Sequence, residues 1–374
     1  MLDGVKVTDM TSVIFGPYCT SILASMGAEV VKLEPSRGDE LRRVGKPRTT
    51  RGMGPAHLTM NAGKHCVAWD IRSQDGHQRL RRRIGESAVF IHNLRPEAAK
   101  RAGLDYETLS QERDDLIHVC CSGYDLRGPR AGQPAYDDVI QAASGAASLL
   151  PRVDGYAAPR YLPMATADKV AGLYAANAVL AALARRAATG KGCAVEVPMF
   201  ESFTHFLLQD HLYGGALVDG PEGMGYPRQL DPDRQPLPTK DGHIAVAPYT
   251  DDRWVRFFEV AGASDFLAQN GLVDARSRFV GLALMQAKLA QLLTGRTTAE
   301  WLDLLGCHDI PAAPVASLED LLEDPQLQAS GFFREREHPT EGRYREMALP
   351  ITFHGCPEAL RFPARRIGED DNAF

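Results

Sequence analysis

In the stretch PMATADKVAGLYAANAVLAALARRAATG, which begins at Pro163, a single carboxylate, Asp168, stands ahead of an alanine-rich run. A helix start offers free backbone N–H groups and positive potential, which orient a carboxylate and favour its ionised form at neutral pH. Such a group has two uses. It can cap the helix and do nothing else. In a dry pocket it can also attack an activated carbonyl, giving a mixed anhydride that splits one hard transfer into easier steps. The pattern fits both. Metal and disulfide chemistry find no support. The seven cysteines (Cys19, Cys66, Cys120, Cys121, Cys193, Cys307, Cys356) are scattered with no C-x-x-C pair, and the eleven histidines form no H-E-x-x-H or H-x-H group.

Charge points to the partner. The chain of 374 residues carries a net −6, yet between Pro35 and Arg101 fifteen Lys and Arg face six Asp and Glu, a local +9. An anionic ligand for this third of the chain is the natural expectation. Nucleic acid is not expected, because the segment interleaves few aromatics (Trp69, Phe90) and the whole chain is acidic. No charged leader with an apolar core opens the sequence and no run of eighteen apolar residues occurs, so we expect a cytoplasmic protein without a membrane partner.

The elements that must position Asp168 alternate. VKVTDM, EVVKLE, CVAWDI, SAVFIHN, DLIHVCCSGY and KGCAVEVPMF read as strands with helical patterns between most of them, which predicts βαβ units and a mostly parallel sheet whose ligands bind at the carboxyl ends of the strands. The helix after Asp168 is expected from Lys169 to Ala188, with Arg185 and Arg186 in its last turn and Gly190 as its stop. Expected domains are a large one over 1–213, a Gly- and Pro-rich linker over 214–238, a small α+β domain over 239–325, a return linker over 326–338, and a tail over 339–374 packing back on the large domain. The first βα turn, SVIFGPYCTS, lacks the G-x-G-x-x-G fingerprint, so a dehydrogenase is disfavoured although Glu34 ends the second strand.

LDGVKVTDMTSVIFGPYCTSILASMGAEVVKLEPSRGDELR, NAGKHCVAWDIRSQDG, VFIHNLRPEAAKRAGLDYETL, VCCSGYDLRGP, AYDDVIQAASG, TGKGCAVEVPMFE and IPAAPVASLEDLLEDPQLQASGFF follow one another in the order of a known family. The chain resembles the family III CoA-transferases, the formyl-CoA transferase and carnitine-CoA transferase (CaiB/BaiF) family, over nearly its whole length. The resemblance implies an α/β fold with a Rossmann-like large domain and a smaller α+β domain, two such chains interlocking as a homodimer. It implies that Asp168, matching the family's nucleophile, carries an aspartyl anhydride and then an aspartyl-CoA thioester. No cofactor is held tightly; acyl-CoA and a small carboxylic acid are the substrates. By position Val13 and Phe15 match contacts beside the acyl group, Arg37 stands near a basic residue of the CoA site, and Arg72, Asn93, Arg101 and Tyr124 match residues holding the nucleotide and its phosphates. Trp69 and Leu94 fit core packing better. Where formyl-CoA transferase has a glutamine after the valine of the first turn, this chain has Ile14, which favours a bulkier or more apolar acyl group.

Two alternatives share the resemblance. One is α-proton exchange of the 2-methylacyl-CoA racemase kind. That family's Gly-His-Asp is Ala135-Tyr136-Asp137 here, and a tyrosine with an unperturbed pKa of about 10 is a poor base at neutral pH. The other is a catalytically silent CoA-binding paralogue.

Overall fold

The structure, a computed structural model, describes residues 1–220, 223–357, 359 and 361–374. It contains two compact units, Met1–Tyr226 with Ala329–Phe374, and Pro227–Gln328.

The first unit is built on six parallel strands, β1 (Lys6–Met10), β2 (Glu29–Leu33), β3 (Lys64–Val67), β4 (Val89–His92), β5 (Ile117–Ser122) and β6 (Cys193–Pro198), in the order β3-β2-β1-β4-β5-β6. Helices cover both faces of a parallel sheet, so its central strands are apolar almost throughout. Val7, Val30, Val89, Ile91, Ile117 and Val119 are accordingly buried. The α/β class expected from the alternation is what forms. Strand order reverses direction between β1 and β4, so the loops leaving these two strands diverge and open a crevice at their carboxyl ends.

Six helices matter for that crevice: α1 (Phe15–Ser25), α2 (Gln74–Glu86), α3 (Pro96–Arg101), α4 (Asp137–Ala143), α5 (Thr166–Thr189) and α6 (Met199–His211). The alanines of α5 pack between α1 and α6. Small side chains permit this close approach, and Gly172 permits the closest. A Cβ at 172 would stand 2.9 Å from the Phe15 carbonyl oxygen and 3.0 Å from the Tyr18 ring. Gly190, at φ +72, ends α5 as its position predicts, its N–H bonding to the Arg186 carbonyl at 2.8 Å. Among the described residues α5 alone is long and apolar enough to cross a bilayer, but half of its most apolar stretch is buried inside the protein.

The strand expected at CVAWDI instead covers Lys64–Val67. It is the sheet edge, and the tail replaces a further strand. Asp370 accepts the Cys66 N–H at 2.9 Å and Asp371 the Ala68 N–H at 2.7 Å, which satisfies donors an open edge would expose. The tail also carries an antiparallel hairpin, Phe333–His338 with Gly342–Met347; its first strand lies in the stretch expected as the return linker, 326–338.

The second unit holds a three-stranded antiparallel sheet (Leu237–Pro238, His243–Val246, Ala312–Pro314) and helices around Phe257, Phe258, Leu289, Leu293 and Trp301. The buried Trp301 indole N–H is satisfied by the Leu293 carbonyl at 2.7 Å. The expected linker over 214–238 therefore contains both the boundary at Tyr226–Pro227 and the first strand of this sheet, while its residues 221 and 222 lie outside the described residues.

Candidate active site

Asp168 is the third residue of α5, one turn inside the position the sequence suggests. The N-cap is Ala165, whose side chain caps nothing. The capping carboxylate comes instead from a separate helix: Asp137, the first residue of α4, accepts the Asp168 backbone N–H at 3.1 Å. Its other oxygen accepts from Gln141 at 2.5 Å. Gln141, fully buried, also donates to the Met164 carbonyl at 3.1 Å and accepts the Leu162 N–H at 2.8 Å. The chain entering α5 is thus tied to α4 by one amide, which fixes where Asp168 begins.

The Asp168 side chain is freed for other work. It is 7% exposed and lines a cavity of about 240 Å³ at the carboxyl ends of β1, β4 and β5. The Phe15 N–H, at the free start of α1, favours the ionised form of its carboxylate. Helix starts favour the ionised form, and on that ground the sequence suggests a group ionised at neutral pH. Two opposing effects are larger here. Burial strips the carboxylate of water and Asp137 places a like charge beside it, while the Phe15 N–H and Lys169 pull the other way, so its pKa is pushed up to about 7. A carboxylate of this kind is more basic, hence a better nucleophile, yet half of it stays ionised at neutral pH.

This arrangement lowers stability. A carboxyl whose folded value lies above its unfolded value of 3.8 carries no penalty below about pH 4, a growing one as pH rises towards 7, and the full one above that. At roughly 1.4 kcal/mol per pH unit between the two values, the penalty reaches at most ~4 kcal/mol. Asp168→Asn keeps the shape without the charge. It is expected to melt at a higher temperature than the parent at pH 8 and at the same temperature at pH 4, as thermal scans at the two pH values would show.

Of the residues singled out by sequence, Val13, Phe15, Asn93 and Asp168 share the cavity. The Asn93 amide reaches the Ser12 hydroxyl at 3.2 Å, tying the loop after β4 to the loop after β1. Arg37, Arg72 and Arg101 are exposed and do not line it. Arg72 pairs with Asp70 at 3.1 Å, and Arg101 ends α3, whose first residue, Pro96, does line the cavity. Tyr124 is 6% exposed, packed on Phe200; the Arg130 guanidinium lies 5.5 Å over each ring, so the solvent-facing group there is Arg130. A larger cavity, about 570 Å³, is lined by Lys46, Arg48, Glu341 and Arg343 among others and holds none of the singled-out residues.

Sequence reasoning missed Arg95, an exposed cation on the cavity wall, and the roles of Asp137 and Gln141. Arg95 was legible as part of HNLRP; the partnership of Asp137 with Asp168 spans 31 positions and leaves no local signal. The +9 segment also overstates its free charge, since Arg42, Lys64 and Arg83 are buried.

The model of CoA-transferase family III matches residues 2–371. The chain is 27% identical to a human succinyl-CoA:glutarate CoA-transferase over 98% of its own length and 88% of that protein's. It is likewise 27% identical to a Clostridioides difficile (R)-2-hydroxy-4-methylpentanoate CoA-transferase, over 99% and 93%. A crystal structure of a CaiB/BaiF family protein from Brucella suis superposes with a TM-score of 0.81 at 26% identity, covering 100% of this chain and 97% of that one.

Proposed function

Because this chain belongs to CoA-transferase family III, we propose that it moves coenzyme A from an acyl-CoA to a carboxylic acid through covalent intermediates on Asp168. The observation that carries this reading is a buried carboxylate, Asp168, lining a cavity at the carboxyl ends of the strands beside Val13, Phe15 and Asn93.

The ionised Asp168 attacks the donor's thioester carbonyl; the C–S bond breaks and coenzyme A leaves as thiolate, giving an aspartyl–acyl anhydride. The thiolate attacks the aspartyl carbonyl, releasing the donor acid and leaving an aspartyl-CoA thioester. The acceptor carboxylate displaces the thiolate from that carbonyl, and the thiolate takes the acceptor's acyl carbon from the second anhydride. Asp168 is returned unchanged. Every intermediate keeps an activated acyl bond, so no external energy enters, and each must be shielded from water. The Phe15 N–H, which favours the ionised form of Asp168, is the donor we assign to the negative oxygen that develops there.

For the substrates, we assign the acyl end of acyl-CoA to Val13 and Phe15, and move Asn93 there from the nucleotide, where the resemblance puts it, because it lines the same cavity as Asp168. The diphosphate and 3′-phosphate go to the exposed Arg37, Arg72 and Arg101, with Arg130 acting at Tyr124. Leu126 and Met199 on the cavity wall, joined there by Leu94, which the sequence assigned to core packing, suit an acyl chain with apolar carbon atoms; Ile14 is not on that wall. The named relatives act on both a dicarboxylate and a branched hydroxy acid, so the chain length is open to a screen.

Covalent trapping tests the reading. Hydroxylamine added during turnover with an acyl-CoA and an acid is expected to leave a hydroxamate on the peptide containing residue 168. A working enzyme with no label at that residue would sink the covalent route.

A further inference from the structure

Six charged side chains lie buried together behind the first turn, Asp9, Lys32, Glu34, Asp39, Arg42 and Lys64, each at most 2% exposed. Buried ion pairs return little net stability, because desolvation offsets their attraction. The cluster has another visible product: it grips the chain from residue 11 to 13. Asp9 accepts the Thr11 N–H at 2.8 Å and the Thr11 and Thr20 hydroxyls at 2.5 and 2.6 Å. Lys32 donates to the Thr11 carbonyl at 2.7 Å and pairs with Asp39 at 3.0 Å. Asp39 receives the Val13 N–H at 3.0 and 3.2 Å on its two oxygens, and its own N–H is held by Glu34 at 2.9 Å, which Arg42 holds in turn at 2.6 Å.

The gripped residue is in an unusual conformation. Val13 has φ +69, the left-handed region, which a β-branched side chain strongly disfavours. Among the described residues only Tyr213 and Asp309 share this feature without being glycine, and neither lines the cavity. Two residues on, Phe15 lines the same cavity as Asp168, its backbone lies against Gly172 on the helix that carries Asp168, and its N–H favours the ionised form of that carboxyl. Strain held in place by an over-determined surrounding, next to a reacting group, is how a site is pre-organised.

We propose that Asp39, fixed by Lys32 and Glu34, is a positioning residue: by holding Val13 left-handed it sets the Phe15 N–H on the Asp168 carboxylate. The inference rests on Asp168 as the nucleophile. Asp39→Asn keeps one oxygen for the Val13 N–H but loses the Lys32 pair and turns an amide NH₂ towards the Lys32 ammonium, which loosens the grip on the turn. Accordingly kcat is expected to fall roughly tenfold or more, since a misplacement of about 1 Å at a reacting centre has effects of that order. KM for acyl-CoA stays within about threefold. The acid limb of the pH–rate profile moves to higher pH, because the ionised form of Asp168 loses a donor, while Asp137 on α4 and Lys169 on α5, the charged groups facing it, are unchanged.

A double-mutant cycle separates positioning from general damage. Glycine reaches the left-handed region without help, so in a Val13→Gly background Asp39→Asn is expected to lower kcat by less than about threefold. An equal loss in both backgrounds, or parental kcat and acid limb in Asp39→Asn alone, would overturn the proposal. Should Asp39→Asn weaken the fold, the Asp39→Asn/Lys32→Gln pair removes both partner charges together and enters the same cycle with the same expected outcomes. Hydroxylamine labelling of residue 168 is scored in parallel: loss of the label refutes the nucleophile, whereas a retained label with an uncoupled cycle refutes only the role of Asp39.

Discussion

Asp168→Ala is expected to lower the rate of CoA transfer by roughly 10⁴-fold, the scale on which single members of a nucleophilic apparatus fail, while leaving the dissociation constant for acyl-CoA within a few-fold. The separation follows from where Asp168 stands. Among the described residues its side chain makes no hydrogen bond or ion pair; the link that fixes the start of α5 runs from its backbone N–H to Asp137, and alanine keeps that N–H. The phosphates of coenzyme A are assigned to cations outside the cavity, so binding does not depend on this carboxylate. Alanine is also an excellent residue inside a helix. Loss of rate with retained binding and an unlowered melting temperature would therefore report on bond making alone. Steady-state transfer followed by mass detection of the new thioester, beside equilibrium binding of acyl-CoA, gives both numbers. A variant within tenfold of the parental rate would remove Asp168 from the chemistry.

Much of this scaffold was legible because it is periodic. Six apolar runs with helical patterns between most of them led directly to a parallel sheet, and the alanines before Gly190 led to α5. What escaped was whatever depends on contacts between distant residues. CVAWDI has strand composition past Val67, yet pairing ends there because its partner strand β2 ends at Leu33, while the tail carboxylates of Asp370 and Asp371 cap the outer edge. The local +9 pointed to an anionic ligand, but Arg42 serves Glu34 and Arg83 serves Glu29 inside the protein. The ionisation of Asp168 was misjudged most. Its place in a helix start argued for an ordinary charged carboxylate; burial and Asp137, brought in from α4, decide otherwise. No short motif encodes either effect.

That reversal gives the second large effect, on pH. The proposed attack by Asp168 needs it ionised, and kcat/KM follows the free enzyme. With the carboxyl pushed up to about 7, kcat/KM is expected to fall about tenfold for each pH unit below that value, so that pH 5 leaves roughly one hundredth of the plateau. A nucleophile with an ordinary aspartate value would show no such limb above pH 5. Asp137→Asn then tests the cause. It removes the like charge and keeps an oxygen that can accept the Asp168 N–H, so ionisation becomes easier and the limb moves to lower pH. Burial, the larger of the two raising influences, is untouched, so the limb stays above the usual carboxylate range. The variant should therefore outperform the parent relative to its own plateau at pH 5.5 and match it at pH 8.5. Pre-steady-state release of free coenzyme A over the same pH range places the limb on the first attack rather than on a later step. A limb that moves upward in Asp137→Asn would mean that Asp137 acts mainly through the hydrogen bond that seats α5 and not through its charge.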